Sequence, residues 1–278
     1  MTSRITTLAK KHSLFLFFVL AYAISWLIWF PQVASVQRII ERPVSPYLHL
    51  LGALGPMLAA LIVTALSAGR AGLHELARRM FRWRVGLVWH LIAWFGLFAL
   101  FLLASVILRI ASGAWPDLSH FGQTKEYPQL PLLVYWAANL LFFGFGEETG
   151  WRGFALPRLQ KHRSAFAATF LLSIARALWH LPLFWFVDDF MKMGLGGAFG
   201  WYFSILMGSV LLTWLYNSTR GSILIVAIFH TTVDIVFNSP ASADLATVTG
   251  MLITLWGIAV LPVYRPAMLS RLGKQVLE

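Results

Sequence analysis

The sequence contains no cysteine, so neither a disulfide nor a thiolate metal site can form. Charge is scarce: Asp, Glu, Lys and Arg make up 12% of the 278 residues, against about 25% in an average soluble domain. Acids are rarer still, 11 against 22 basic residues. There is no His-Glu-x-x-His run, so the usual helical zinc-protease signature is missing. Neither an internal repeat nor a low-complexity tract is visible, which counts against the inverted-repeat transporter architectures. In their place stand apolar residues, 59% of the chain, with a mean hydropathy of +0.72. The formal charge of +11 does not argue for nucleic acid. The basic residues flank apolar runs, as cytoplasmic loops facing an anionic leaflet do.

Windows of roughly 20 residues predict an all-α polytopic membrane protein with eight spans: Leu14–Val33, Tyr47–Leu66, Val88–Ile110, Leu132–Leu156, Ala165–Val187, Gly200–Tyr216, Ile223–Phe237 and Leu245–Val263. Alternate connections are rich in Lys and Arg, above all Arg70, Arg78, Arg79, Arg82 and Arg84. By that alternation both termini are expected in the cytoplasm. The first apolar run is longer than a signal-peptide core and reads as an uncleaved helix. Between spans two and three, Leu73, Leu76, Ala77, Met80 and Phe81 recur at helical spacing opposite a face of arginines. That pattern predicts an amphipathic helix lying in the interface. Pro56 should kink span two. The whole chain, 1–278, reads as one membrane domain, with a motif-bearing core at about 130–240.

Ionisable residues at membrane depth are expensive and are read as functional by default. Span four carries Glu147, Glu148 and Arg152, span five Arg176 and His180, span seven His230 and Asp234. Glu148 and Arg152, four apart, share a helix face as an ion pair, which leaves Glu147 free for chemistry. Gly146, Gly150 and Gly153 form a stripe that admits a close neighbour. His230 and Asp234, also four apart, suit an oriented imidazole. The bland alternatives are a packing salt bridge and a core histidine bonded to a carbonyl. Three spans delivering such groups point instead to one shared site. Two chemistries fit. Glu147 and His180 could activate a water while His230 and Asp234 support an oxyanion. Otherwise Glu147, His180, His230 and Asp234 could ligate a divalent metal such as zinc. Arg176, one turn from His180, would repel a dication, so the metal-free reading without a cofactor is preferred.

The motifs resemble the family of CAAX prenyl proteases and bacteriocin-processing proteins, the CPBP or Abi intramembrane proteases. The family pattern is Glu-Glu-x-x-x-Arg, then Phe-x-x-x-His, then His-x-x-x-Asn or Asp. It stands here as Glu147-Glu148-Thr149-Gly150-Trp151-Arg152, as His180 and as His230 to Asp234. The resemblance implies eight helices around a water-accessible cavity opening to the cytoplasm, and an intramembrane endopeptidase acting on a membrane-anchored peptide or protein. In a prokaryotic host that means the cell membrane. It also implies water activation by Glu147 and His180, oxyanion stabilisation by His230 and Asp234, and support from Glu148 and Arg152. Two departures stand out. Arg176 occupies the usual Phe position, and Asp234 replaces Asn, although an ionised Asp cannot donate to an oxyanion. The expectation is that Arg176 pairs with Asp234. The rival classes are a scaffold or immunity protein of the same fold and a proton-coupled transporter.

Overall fold

A computed structural model describes residues 2–240 and 243–277, and among these there is no β-strand. In chain order the helices are α1 (Thr2–Lys11), α2 (Ser13–Val36), α3 (Tyr47–Gly52), α4 (Gly55–Met80), α5 (Leu87–Ser112), α6 (132–160), α7 (Ala165–Trp179), α8 (Asp188–Met191), α9 (Gly194–Ser218), α10 (Ile223–Asn238) and α11 (Ala243–Tyr264). A 3-10 turn, Leu181–Trp185, follows α7. Six helical stretches among the described residues are long and apolar enough to cross a membrane. They correspond to predicted spans one, two, three, five, six and eight. Predicted spans four and seven are α6 and α10, and each departs from that standard for a visible reason. α10 has only 16 residues. α6 carries charge and is interrupted by two π-helical turns, Leu140–Phe145 and Trp151–Ala155. Side chains such as Phe15, Leu27, Phe95, Ile110, Leu133 and Leu195 are exposed. So much outward apolar surface suits a multi-pass membrane protein and not a soluble one.

The predicted kink falls where Pro56 requires it. The helix breaks between Gly52 and Gly55, and Pro56 sits in the first turn of α4, where its missing N–H costs nothing. The break brings backbones close. A Cβ on Gly52 would lie 2.0 Å from Trp29 Nε1, and one on Gly55 would lie 2.0 Å from Ser25 Oγ. Ser25 Oγ instead donates to the freed Gly52 carbonyl at 2.7 Å.

The expected interfacial helix is the far part of α4, set off by a kink at Gly69, whose φ is 60°. Leu73, Leu76, Ala77 and Met80 turn inward, while Phe81 is exposed. The arginine face is not uniform. Arg79 is buried and its Nη1 donates to Gly153 O and Tyr216 Oη, both at 2.8 Å. It ties α4 to α6 and α9.

The glycine stripe of α6 does admit a neighbour. Cβ atoms on Gly146 and Gly150 would meet Ala53 O at 2.8 Å and Pro56 Cβ at 2.5 Å. At Gly153 a Cβ would meet Ile223 Cδ1 at 2.6 Å. α6 is thus wedged between the α3–α4 break and α10, and this wedge positions its two glutamates.

Candidate active site

Glu147 and Glu148 occupy a single α-helical turn, Gly146–Gly150, between the two π turns of α6. A π turn holds more residues than an α turn, so each one rotates the faces that follow, and such turns concentrate at functional sites. Glu148 and Arg152 still meet across their four-residue spacing. Arg152 Nη1 donates to Glu148 Oε1 at 3.0 Å, with both side chains fully buried.

Glu147 is not free. Arg176 Nε and Nη2 both donate to Glu147 Oε2, at 3.1 and 2.9 Å. The expected Arg176–Asp234 pair is therefore not formed, because the guanidinium, reaching from α7, is spent on α6. Glu147 Oε1 accepts no hydrogen bond from the described residues. Arg176 Nη2 also lies 2.9 Å from His230 Nε2. A guanidinium can only donate, so Nε2 must be the acceptor and the ring proton sits on Nδ1. That nitrogen lies 2.9 Å from Glu148 Oε1, close but off the best hydrogen-bond line. The chain of contacts is continuous: Glu147, Arg176, His230, Glu148, Arg152. It joins α6, α7 and α10, and all five residues are buried.

His180 and Asp234 stand at the edge of this chain, both half-buried. Asp234 Oδ1 is 3.6 Å from His230 Nε2, too far for a hydrogen bond, so the expected His–Asp couple is a proximity and no more. Among the described residues His180 makes no hydrogen bond or ion pair with Glu147. Its Nδ1 donates to the Arg176 carbonyl at 2.7 Å, which leaves Nε2 as the nitrogen carrying a lone pair. His180 also ends α7 and begins the 3-10 turn that contains Pro182. The α7 end is held from α2, where Tyr22 Oη donates to Ala175 O at 2.5 Å and Trp26 Nε1 to Trp179 O at 2.9 Å.

Distances along the helices agree for α6 and α7 but not for α10, whose start lies only about 11 Å from His230 at 1.5 Å per residue. α6 runs to Gln160, four residues beyond its predicted end, so Glu147 lies about 20 Å from it at 1.5 Å per residue. Arg176 lies about 17 Å and His180 about 22 Å from the start of α7.

One nearby group had no sequence signal. His49 Nδ1 donates to Glu126 Oε1 at 2.7 Å, and Tyr127 Oη donates to the same oxygen at 2.8 Å. This contact pins the connection between α5 and α6 against the α3–α4 break. Burial would raise the Glu126 carboxyl, but the neighbouring His49 and the hydrogen bonds from His49 and Tyr127 outweigh it and hold the group below the usual carboxylate range. The partners are far apart in sequence and share no spacing that could have revealed them.

For a metal, the compact donor set is Glu147, Glu148 and His230, whose ligand atoms lie within 4.8 Å of one another. His180 and Asp234 are not part of it. This set does not fit a dication as it stands, because each carboxylate already carries a guanidinium at 2.9 to 3.0 Å. A metal would have to displace two fixed cations or sit beside them.

Two comparisons with known proteins cover this part of the chain. Residues 129–236 match the family model "Type II CAAX prenyl endopeptidase Rce1-like". The chain is also 27% identical, over 229 residues, to CAAX prenyl protease 2 of Methanococcus maripaludis, covering 79% of this chain and 82% of the relative. Every residue of the buried contact chain, together with His180 and Asp234, lies inside the matched segment, where the chain is similar to the type II CAAX prenyl endopeptidases.

Proposed function

We propose that this protein is an intramembrane endopeptidase that hydrolyses a peptide bond of a membrane-anchored protein or peptide with a water activated by Glu147 and His180. In this reading the whole chain is a single membrane domain of eight spans with both termini in the cytoplasm. The observation that carries it is the continuous buried chain from Glu147 through Arg176 and His230 to Glu148 and Arg152. Charges at this depth are costly to keep without a task.

Glu147 Oε1 and His180 Nε2 have no hydrogen-bond partner among the described residues, as is also true of Glu148 Oε2 and Asp234 Oδ2, and the basic role falls to the first two. One takes a proton from water as the oxygen attacks the scissile carbonyl, and that proton passes to the leaving amine as the C–N bond breaks. Arg176 keeps a guanidinium face beyond the Glu147 bond and lends it to the oxyanion, with His230 and Asp234 flanking that side. This arrangement supplies the donor that an ionised Asp234 cannot. Glu148 and Arg152 position His230. No step runs through a metal.

The test is cleavage of a membrane-anchored, fluorogenic peptide by the reconstituted full chain, with and without a strong divalent-metal chelator. Cleavage that survives the chelator supports the reading. Cleavage that the chelator abolishes and zinc restores would overturn it in favour of the Glu147, Glu148 and His230 donor set.

A further inference from the structure

Away from the buried chain, the end of α4, the start of α5 and the turn between α9 and α10 enclose a cleft of about 720 Å³. Arg78, Arg82, Arg84 and Arg220 line it together with Trp83 and Trp89. A smaller cleft of about 220 Å³ shares Arg78, Arg82 and Arg220 and adds Arg79 and Glu75. Glu75 is the only carboxylate among the residues lining either, and it is occupied by Arg78 at 2.8 Å. Arg84 lies over the Trp83 ring, 5.2 Å from its centroid. The Arg84 and Arg220 guanidiniums take part in no hydrogen bond or ion pair with the described residues.

The walls of the cleft are fixed to each other. Ser222 Oγ donates to Arg82 O at 2.6 Å, and Arg82 Nη1 donates back to Arg220 O. Arg220 is held at φ 56°, a left-handed conformation that non-glycine residues rarely adopt, followed by Gly221 at φ 80°. The turn is closed by Gly221 N donating to Tyr216 O at 2.8 Å. The rim is apolar: Phe81, Trp83 and Leu272 are 67%, 61% and 56% exposed.

We propose that this cleft binds the phosphate of an anionic phospholipid headgroup. Guanidiniums match phosphate oxygens in geometry and charge. Indoles settle where headgroup meets hydrocarbon, and basic pockets beside membrane helices hold anionic headgroups. A soluble phosphate would use the arginines but not the exposed Phe81, Trp83 and Leu272, which suit acyl chains. The amphiphile uses both.

The experiment is thermal unfolding of the full chain in an uncharged detergent, followed by tryptophan fluorescence, with dioleoylphosphatidylglycerol, dioleoylphosphatidylcholine or inorganic phosphate added. The anionic lipid should raise the midpoint beyond the zwitterionic one. The double variant Arg84→Gln/Arg220→Gln should need about 25-fold more anionic lipid for the same gain, at about fivefold per arginine. Arg109→Gln, an exposed site at the other end of α5, should behave as the unaltered protein. In the unaltered protein, 0.5 M salt should also shrink the gain, which gives a readout independent of whether the variants fold. Equal protection by the two lipids, or a gain insensitive to both salt and the double substitution, would overturn the proposal. Equal protection by inorganic phosphate would overturn the lipid assignment.

Discussion

Arginine serves two regions of this molecule under opposite conditions. Arg152 and Arg176 are buried, and each faces a glutamate across 2.9 to 3.0 Å. Arg84 and Arg220 are exposed, in a cleft where arginines outnumber the single carboxylate. Burying an ion pair costs more than its attraction returns unless the geometry is good and the remaining donors are satisfied. Here they are not all satisfied, since Glu148 Oε2 and Arg152 Nε and Nη2 lack partners among the described residues. The buried set is thus poor stabilisation and is better understood as a functional arrangement. The open set is free to meet an external anion. Composition counts both kinds alike.

That contrast can be broken in order of expected effect. Glu148→Ala strands Arg152 and removes the acceptor beside His230, and should destabilise the fold by about 3–5 kcal/mol in reversible unfolding. An unchanged stability would mean that the pair is not truly desolvated. Arg176→Met keeps the length and removes the charge. Cleavage should fall about 10²- to 10³-fold, the cost of losing a preorganised electrostatic donor. Asp234→Asn should cost less than about tenfold, a barrier change of under about 1.4 kcal/mol, because Asp234 is not the partner of Arg176. Equal losses in the two variants would restore the pairing that the geometry denies.

The peripheral pair His49–Glu126 gives a smaller effect with a defined sign. Its carboxyl titrates below the usual range when folded, so it binds fewer protons than in the unfolded chain near that range. Its stabilisation is complete above the unfolded value of about 4.3 and is lost as pH falls through the folded one. Glu126→Gln should therefore flatten stability against pH below about pH 5. A change confined to pH above 6 would contradict the assignment. At the bottom of the scale, Arg84→Gln without added lipid should shift stability by no more than about 0.5 kcal/mol.

Spacing carried what lay on one helix. The Glu148–Arg152 pair, the glycine stripe and the Pro56 break follow from residues a turn or less apart, and all three are present. What lay between helices was hidden. Arg176 looked for a counter-charge in α10 and met one in α6, because the π turns of α6 alter which residues face α7. No residue pattern announces a π turn. The same holds for His49 and Glu126, brought together only by the path of the α5–α6 connection. Arg79 sat in a basic run that reads as a solvated face, yet its donors satisfy Gly153 O and Tyr216 Oη in the interior.

The most direct test of the buried site compares cleavage and thermal unfolding of Glu147→Gln in one preparation with the unaltered protein. The amide keeps the shape and can still accept from Arg176 but cannot take a proton from water. The expected result is cleavage reduced by about 10²- to 10⁴-fold with a folded, cooperatively melting protein. Full cleavage by a well-folded Glu147→Gln would contradict the account.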